Sequence, residues 1–239
     1  MFESDQSLAG MRSLSRGDAE RIVTSSGWLP ATPATFRAEV LRHAHLQHFA
    51  PGDVIFRFGE APGGIYGLVA GTLRINAAAP DAVPRLIHLG MPGAWTGEGC
   101  FMTGHPRRGE MHALGEAWLM HLPLQAMEQI VADDPRAVRI FCSIAVLTVD
   151  VLIRIVHDLQ KRDASQRIAS VLHRAAWIGD VPIPLSQSEI GIMANASRRQ
   201  VSAAMNRFAE AGWIEHTYRS ITVSQPQALR DYAEQDEAD

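Results

Sequence analysis

Two serines near the C-terminal end of this 239-residue chain each precede a side chain that can bond back to them. Ser186 is followed three residues later by Glu189, and Ser197 by Gln200. Such a pair forms a capping box, in which the serine hydroxyl and the longer side chain satisfy unpaired main-chain groups at the start of a helix. Two helix starts so close together predict two short helices joined by a tight turn, the helix-turn-helix arrangement.

The second of these helices has two chemically different faces. Its apolar residues follow the spacing of a buried helix face, and they are Val201, Ala204, Met205 and Phe208. The opposite face carries two adjacent arginines, Arg198 and Arg199, in its first turn. Donors at the N-terminus of a helix inserted into DNA reach base edges or phosphates, and an arginine can bond both major-groove acceptors of guanine. We therefore predict binding to double-stranded DNA.

The residues after these helices complete a winged helix-turn-helix. Gly212 predicts the end of the second helix, and residues 213–223 predict two short strands joined by a tight turn. Regional charge agrees with DNA binding, because residues 161–230 carry nine Lys or Arg and five Asp or Glu, although the formal net charge of the chain is -4. The predicted DNA contacts are polar residues of the two helices: Ser186, Gln187, Ser197, Arg198, Arg199, Ser202 and Asn206. The alternative is a winged helix that contacts only proteins, with both arginines solvated.

Glycine divides the rest of the chain. Thirteen of the 19 glycines lie between Gly52 and Gly115, among short apolar pieces, and none lies between residues 116 and 178. The first region predicts a compact antiparallel β-domain. A helix is predicted before it at residues 33–45, and the polar segment 1–27 is expected to be poorly ordered.

The glycine-free region predicts a short helix at residues 124–131 and then a long one. Asp134 followed by Pro135 is a typical helix start, and no helix breaker follows before about Lys161. The apolar surface of the long helix is wide enough to face its own domain and a second copy of the chain, so we predict a homodimer. The predicted dimer contacts are Ile144, Leu147, Val151, Ile155 and Leu159. The alternative is an ordinary internal core helix.

A membrane-spanning role for this helix is not expected. It contains Asp150 and Arg154, and each charge would cost about 2.5 to 3.5 kcal/mol at the centre of a bilayer. The N-terminal residues show no signal-peptide pattern, so a cytoplasmic protein is predicted.

Other functional classes have weaker signals. Cys100 and Cys142 lie far apart, which disfavours a disulfide framework or a clustered iron-sulfur or zinc-thiolate site, and both are predicted to be inert buried thiols. His43, His45 and His48 have a spacing that can bind zinc or iron, so a cupin-like metal-dependent enzyme is the alternative from another class. On a helix, however, the first two histidines would point apart, and the downstream glutamate of cupin motifs is missing. No hydrolase elbow, zinc-protease or phosphate-loop motif occurs, so a non-enzyme is predicted.

The order of these parts resembles the Crp/Fnr family of bacterial transcription regulators. The resemblance covers residues 28–232 and rests on FAPGDVIFRFGEAPGGIYGLVAGTLRI, the GE of TGEGCFMTGHPRRGEMHAL, DASQRIASVLHRA, and LSQSEIGIMANASRRQVSAAMNRFAEAGWI. It implies an α+β fold. The implied parts are an N-terminal antiparallel β-roll or jelly-roll sensor domain (28–132), a long dimerisation helix (133–162), a winged helix-turn-helix (163–232) and an acidic tail (233–239).

The resemblance also implies an effector site in the sensor domain. Members that bind cyclic AMP use a Gly-Glu pair on the ribose and an arginine, followed by a small hydroxyl residue, on the cyclic phosphate. The matching residues here are Gly97, Glu98 and Arg107, with Arg108 as the other candidate arginine. Where these members place hydroxyl residues facing adenine, this chain has Leu152 and Ile153, which cannot form those hydrogen bonds. The effector is therefore unknown, cyclic AMP is not expected, and an iron-sulfur cluster is excluded.

The recognition helix departs from the family pattern too. Arg199 stands where a glutamate is usual, and an arginine cannot accept a hydrogen bond from cytosine. The usual half-site of cyclic AMP receptors is therefore not expected. RNA polymerase is a further candidate partner. A third interpretation is a protein-binding regulator with a vestigial sensor domain, which would bind DNA weakly and without sequence preference.

Overall fold

The computed structural model describes residues 14–79, 82–176, 183–217 and 220–235. The helices are α1 (Arg16–Ser25), α2 (Ala34–His43), α3 (Glu98–Thr103), α4 (Leu124–Asp133), α5 (Ala137–Leu159), α6 (Ala164–Ala175), α7 (Gln187–Met193), α8 (Arg198–Glu210) and α9 (Pro226–Ala233). The strands are β1 (His45–Phe49), β2 (Val54–Phe56), β3 (Ile65–Ala70), β4 (Leu73–Ala77), β5 (Arg85–Gly90), β6 (Trp95–Thr96), β7 (Gly109–Ala113), β8 (Ala117–Leu122), β9 (Ile214–Thr217) and β10 (Ser220–Val223). This order confirms the predicted α+β fold: an N-terminal β-roll, a long helix and a C-terminal winged helix. We call the β-roll the sensor domain and the winged helix the DNA-binding domain, after the roles that the resemblance implies.

The sensor domain consists of two four-stranded antiparallel sheets. One has the strand order β1-β8-β3-β6 and the other β2-β7-β4-β5. Alternate apolar residues of both sheets, among them Phe56, Leu68, Met111 and Leu119, form the core between them. Gly67 allows the two strands of one edge to pair, because a Cβ atom there would lie 2.4 Å from the ring of Trp95.

A layer of helices covers the outer face of the first sheet. Trp28 is its centre: its indole ring packs against Phe36, Trp95 and Phe141, and its Nε1 donates to the Ile140 carbonyl at 3.1 Å and to Ser143 Oγ at 2.9 Å. This residue therefore joins the sensor sheet to α5.

The expectation that residues 1–27 are poorly ordered is wrong for residues 16–25. These residues form α1, whose Ala19 and Val23 are fully buried in the same helical layer. Ser15 caps the helix by accepting from the Asp18 amide at 3.1 Å. The polar composition of residues 16–25 led to the wrong expectation, because α1 buries only a narrow face and the rest of the helix is polar. Residues 1–13 lie outside the described residues.

The long helix starts later than the sequence predicts. The Asp134 carboxylate accepts from the Arg136 amide at 3.1 Å, and Pro135 and Arg136 form a turn that precedes the helix. Helix α5 then runs from Ala137 to Leu159, close to the predicted end.

Helix α5 has two apolar faces, and only one of them is buried in this chain. Phe141 and Ile144 are buried inside the sensor core. On the outward face, each of five large apolar residues is between 41% and 61% exposed. These residues are Val146, Val149, Leu152, Ile153 and Val156.

The two faces require a correction to the predicted dimer contacts. Ile144 cannot be one, because the sensor core covers it completely. Val151 and Ile155 are half-buried and line cavities toward the rest of their own chain. Leu147 and Leu159 are exposed, and Leu159 also lines the cavity beside Ile155. Helical spacing showed that the helix is apolar but did not show which face turns inward.

By length and composition alone, α5 could cross a membrane. Its contacts show a different role. Its first turns pack in the sensor core, and toward its end Arg154 pairs with Glu234 and Asp158 with Arg174 in the DNA-binding domain. One helix therefore serves as the shared support of two domains.

Asp158 connects α5 to α6, the first helix of the DNA-binding domain. Its buried carboxylate accepts from Lys161 Nζ at 2.8 Å and pairs with Arg174 of α6. Lys161 Nζ also donates to Ser170 Oγ at 2.8 Å. A buried carboxylate is tolerated where several cations and donors surround it, so this cluster holds α6 at the end of α5.

The sensor domain also touches the DNA-binding domain through β5. Leu86 and Leu89 are buried in the core that α6, α7 and α8 form. His88, between them, lines a cavity of about 490 Å³ with Arg174 and Pro226. Burial, and secondarily the charge of Arg174, lower the pKa of His88 to about 4.

His88 should make the protein sensitive to acid. The folded state keeps this histidine neutral, whereas the unfolded chain takes up a proton near pH 6.5, so folding stability is complete above pH 6.5 and falls as the pH drops toward 4. At pH 4.5 the loss from His88 amounts to about 2.5 kcal/mol. Between pH 7 and pH 4.5, we expect the free energy of unfolding of His88→Gln to fall by about 2.5 kcal/mol less than that of the wild type. Urea unfolding at both pH values measures this difference. His105→Gln, at an exposed histidine, is the control. Equal acid losses in wild type and His88→Gln would contradict the assignment.

Candidate nucleic-acid interface

Both predicted capping boxes are present. Ser186 Oγ accepts from the Glu189 amide at 3.2 Å, and Glu189 Oε2 accepts from the Ser186 amide at 2.8 Å. In the second helix, Ser197 Oγ accepts from the Gln200 amide at 3.3 Å, and Gln200 Oε1 accepts from the Ser197 amide at 2.9 Å. The starts of α7 and α8 are therefore fixed by local sequence.

The turn between the two helices is tight. Asn195 adopts a left-handed conformation with φ of 46°, and the Ala196 amide donates to the Gly191 carbonyl at 2.9 Å. Position 191 must be glycine because a Cβ atom there would lie 2.9 Å from the Ala196 oxygen. This close approach sets the angle at which α8 leaves α7.

Arg167 of α6 braces that turn, and sequence reasoning missed it. Its Nε donates to the Ala194 carbonyl at 2.8 Å and its Nη2 to the Asn195 carbonyl at 3.2 Å. Its Nη1 donates to the Lys161 carbonyl at 2.6 Å. One guanidinium thus links the turn to the end of α5. Its partners are main-chain atoms, so no residue pattern marks it.

The two faces of α8 are arranged as predicted. Val201, Ala204, Met205 and Phe208 are buried against the other helices of the domain. Every residue predicted to contact DNA from α8 is exposed: Arg198, Arg199, Ser202 and Asn206. Neither arginine pairs with an acidic side chain within the described part of the chain. The first turn of α8 therefore presents two free cations at the positive end of a helix dipole.

The wing follows a glycine stop. Gly212 adopts φ of 72° after α8, and β9 and β10 pair in an antiparallel hairpin. Trp213 stacks on Phe208 with a centroid distance of 5.6 Å, and its carbonyl accepts from the Ser224 amide at 2.9 Å. The wing is thereby attached to the recognition helix. Tyr218 and Arg219, which come between the two strands in sequence, lie outside the described residues.

In the sensor domain, three of the predicted effector residues come together. Gly97 adopts φ of 106° and precedes α3, and Glu98 and Arg107 are both buried. Arg107 Nη1 donates to the Gly97 carbonyl at 3.2 Å and Nη2 to the Gly64 carbonyl at 2.9 Å. Its guanidinium lies 4.4 Å from the centre of the Phe56 ring.

Glu98 lies in a similarly enclosed place. Burial raises the pKa of its carboxyl group, against the opposing effects of main-chain N–H donors and the Arg107 charge. Nearby, His121 stacks on Tyr66 at 4.3 Å and its Nε2 lies 2.7 Å from the Gly63 oxygen. Burial lowers the pKa of this histidine. The cluster of Gly97, Glu98 and Arg107 is therefore bonded mainly to main-chain atoms.

Arg107 is already engaged by groups of its own chain, with one N–H of each terminal nitrogen used. Both terminal nitrogens of Arg107 already donate to carbonyl oxygens, and Nε is its buried donor without a partner in the described chain. A phosphate is best held by the two-pronged end of an arginine. In this structure Arg107 fastens Gly64 to Gly97.

Three other predicted effector residues do not belong to the cluster of Gly97, Glu98 and Arg107. Arg108 is exposed and lies outside this cluster. Leu152 and Ile153 are 41% and 61% exposed on the outward face of α5. Within one chain they therefore close no pocket.

The metal-site alternative lacks geometry in the described residues. His43 ends α2, whereas His45 and His48 belong to β1, and His48 Nε2 lies 2.5 Å from Glu116. No group of three or more His, Cys, Asp or Glu that could hold a metal ion occurs in the part of the chain that is described. Of the cysteines, Cys100 is buried as predicted, whereas Cys142 is half-buried on α5.

Arg107 should therefore stabilise the sensor domain without any ligand. Arg107→Met keeps the side-chain length but leaves the Gly64 and Gly97 carbonyls without their donor, so we expect a loss of about 2 to 4 kcal/mol. Arg108→Met, one residue away and exposed, should change stability by less than about 0.5 kcal/mol. Chemical unfolding of the ligand-free protein measures both. Full stability of Arg107→Met would show that the arginine is not a structural tie.

Comparisons with known proteins agree with this architecture. The family model for the cyclic nucleotide-binding domain matches residues 46–134, and that for the Crp-like helix-turn-helix domain matches residues 166–232. A curated relative, the CRP-like cAMP-activated global transcriptional regulator of Mycobacterium tuberculosis, is 23% identical over an alignment of 218 residues that covers 88% of this chain and 97% of the relative.

Solved structures show the same fold. FixK2 from Bradyrhizobium japonicum has a TM-score of 0.66 and 18% identity and covers 82% of this chain and 98% of its own. A CRP/FNR-family transcriptional regulator from Thermus thermophilus has a TM-score of 0.64 and 20% identity and covers 81% and 100%. The two family models together match more than half of the chain, in the order in which the sensor and helix-turn-helix domains occur. This protein belongs to the Crp/Fnr family of transcription regulators.

Proposed function

We propose that this protein is a homodimeric, sequence-specific DNA-binding transcription regulator that reads DNA with α8. The observation that carries this proposal is the first turn of α8, where Arg198 and Arg199 are exposed and unpaired on a helix fixed by its own capping box. A side chain that reads a base must be held in place by its scaffold. The cap, the Gly191 approach and the Arg167 brace supply that scaffold.

The chemistry of the exposed face of α8 favours DNA over a protein as its partner. Arg198 and Arg199 lie at the end of the helix where the dipole attracts anions, and Ser202 and Asn206 continue the polar strip. The face exposes no large apolar residue, whereas the centre of a protein-binding surface usually does. Arg198 is proposed as a base contact, and the other three as base or phosphate contacts. Ser186, Gln187 and Ser197 are proposed as phosphate contacts at the helix starts.

A second copy of the chain is proposed to cover the outward face of α5. Three residues of this face, Val149, Leu152 and Val156, follow spacings of three and four, as in a coiled-coil seam. Cys142 and Ala145 continue this line toward the start of the helix. A contiguous apolar surface of this kind usually marks an interface. Two-fold pairing along α5 would place two α8 helices on one duplex, with half-sites about 34 to 36 Å apart.

The effector is proposed to be something other than cyclic AMP held in the usual way. The M. tuberculosis relative is described as cAMP-activated, but in this chain Arg107 is engaged by carbonyl oxygens and Leu152 and Ile153 lack hydroxyl groups. A non-enzymatic role, a cytoplasmic location and contact with RNA polymerase belong to the same proposal.

Selection of bound fragments from a random double-stranded DNA pool tests the function. The purified protein is used without added ligand at two salt concentrations. We expect enrichment of a two-fold symmetric motif whose half-site differs from that of cyclic AMP receptors, because Arg199 replaces a glutamate. Binding that enriches no sequence and disappears as salt rises would instead indicate a winged helix that serves another partner.

The two arginines should have separable effects on the selected motif. If Arg198 reads a base, Arg198→Ala should weaken binding by about 1 to 3 kcal/mol and relax the preference at one position per half-site. If Arg199 contacts phosphate, Arg199→Ala should weaken binding to all sequences and reduce the salt slope by about one per subunit. Fluorescence anisotropy on matched and mismatched duplexes measures both. Arg21→Ala, an exposed arginine on α1, is the control. Unchanged affinity and preference in Arg198→Ala would contradict the assigned role.

The outward face of α5 should decide the oligomeric state. Val149 and Leu147 are similarly exposed, at 49% and 46%, but only Val149 lies on the proposed seam. Val149→Glu would bury two carboxylates in the interface, so we expect a dimer dissociation constant raised at least tenfold in sedimentation equilibrium. Leu147→Glu should remain dimeric. The opposite result would place the interface along Leu147, and a monomeric wild type at micromolar concentration would remove the dimer.

A further inference from the structure

One side of the helix-turn-helix faces the sensor domain across a cleft of about 1060 Å³. Strand β5 contributes Arg85, Leu86 and Ile87 to one wall, and the end of α5 contributes Ile155 and Leu159. Four of the seven proposed DNA contacts line the opposite wall, and they are Ser186, Gln187, Ser197 and Arg198. The starts of both helices are therefore turned toward the sensor domain.

An ion pair also joins the sensor domain to α7. Arg74 of β4 pairs with Glu189 of α7. The other carboxylate oxygen of Glu189 accepts from the Ser186 amide at 2.8 Å. The same side chain thus caps the first helix and attaches it to the sensor domain. Both partners are less than one third exposed, at 31% and 19%, so the pair is partly shielded from solvent.

Apolar packing supports the ion pair. Leu86 and Leu89 of β5 are buried together with Ile190 and Met193 of α7 in one core. A polar attachment beside an apolar contact gives the interface a defined geometry. The sensor domain therefore holds the helix-turn-helix in one position.

In this position β5 lies close to the start of the recognition helix. A recognition helix lies in the major groove, which is about 12 Å wide, with its N-terminal residues on base edges. Ser197 and Arg198 are exposed to solvent, but β5 forms the facing wall of the cleft that they line. A duplex placed over the start of α8 would meet this wall.

We infer that the Arg74–Glu189 ion pair is an autoinhibitory latch that keeps the winged helix docked on β5 and lowers its affinity for DNA. This inference rests on the proposed function. Docked and released forms are in equilibrium, and DNA binds the released form. Any event in the sensor domain that shifts β4 or β5 then changes DNA affinity by population shift, since a ligand of one form draws the equilibrium toward it.

The decisive variant is Arg74→Gln, because the latch and simple electrostatics predict opposite effects. Removing a cation from a DNA-binding protein ordinarily weakens DNA binding. Loss of the latch should instead tighten binding to the selected duplex about twofold to fivefold, the upper part of the range measured for ion pairs of this kind. Arg42→Gln is the matched control, because Arg42 pairs with Glu39 inside α2 and bridges no domains.

Glu189→Gln is the second variant. Gln200 performs the same capping role in α8, so glutamine at position 189 should keep α7 capped while removing the ion pair. The double variant should bind no more tightly than the tighter single variant, because both break one interaction. Hydrogen exchange of ligand-free protein gives an independent measure, and amides of α7 and β5 should exchange at least threefold faster in both variants.

The outcomes are distinguishable. Tighter DNA binding and faster exchange in Arg74→Gln and Glu189→Gln, with Arg42→Gln unchanged, support the latch. Equal or weaker DNA binding with unchanged exchange overturns it. If no variant, wild type included, prefers any DNA sequence, the proposed function fails, while the exchange rates still show whether Arg74 and Glu189 hold the domains together.

Discussion

One helix has to bury two apolar faces at the same time, and the rest of the structure depends on that constraint. The inward face of α5 is satisfied within the chain, where Phe141 and Ile144 complete the sensor core and Trp28 bonds to the helix backbone. The outward face, with Val149 and Val156 exposed, is not satisfied within the chain. An exposed apolar face of this kind usually marks an interface, and in the proposed dimer a second α5 would cover it with the same spacing.

The end of the same helix determines where the DNA-reading face lies. Asp158 binds α6 through Lys161 and Arg174, and Arg167 of α6 bonds the Ala194 and Asn195 carbonyls in the turn before α8. The path from sensor to recognition helix is thus made of short polar contacts on rigid helices. A rotation at the end of α5 would be passed to α8, while β5 opposes it through its contact with α7.

Features encoded by neighbouring residues were predictable from the sequence. Ser186 with Glu189 and Ser197 with Gln200 are contacts within one helical turn, so both helix starts and the buried face of α8 followed from spacing alone. Glycine punctuation likewise indicated the β-domain. The resemblance to the Crp/Fnr family pointed to the positions of Gly97, Glu98 and Arg107, which the fold brings together.

Features that depend on distant contacts were not predictable. Helical periodicity identified α5 as apolar but could not show that Ile144 faces inward and Val149 outward. Arg107 and Arg108 are adjacent and chemically identical, and only the fold buries one of them. The Arg74–Glu189 pair joins residues far apart in the chain, and Arg167 bonds to main-chain oxygens that carry no sequence signal. Residues 16–25 look polar because their helix buries a single narrow face.

The central claim is that two chains, joined through α5, read one duplex together. Native mass spectrometry of the protein with a duplex that carries its selected motif tests this claim most directly, with a duplex that carries only one half-site as the comparison. The account predicts a complex of two chains and one duplex, and a much weaker complex on the half-site. A complex of one chain per duplex, bound equally well by the half-site, would contradict it.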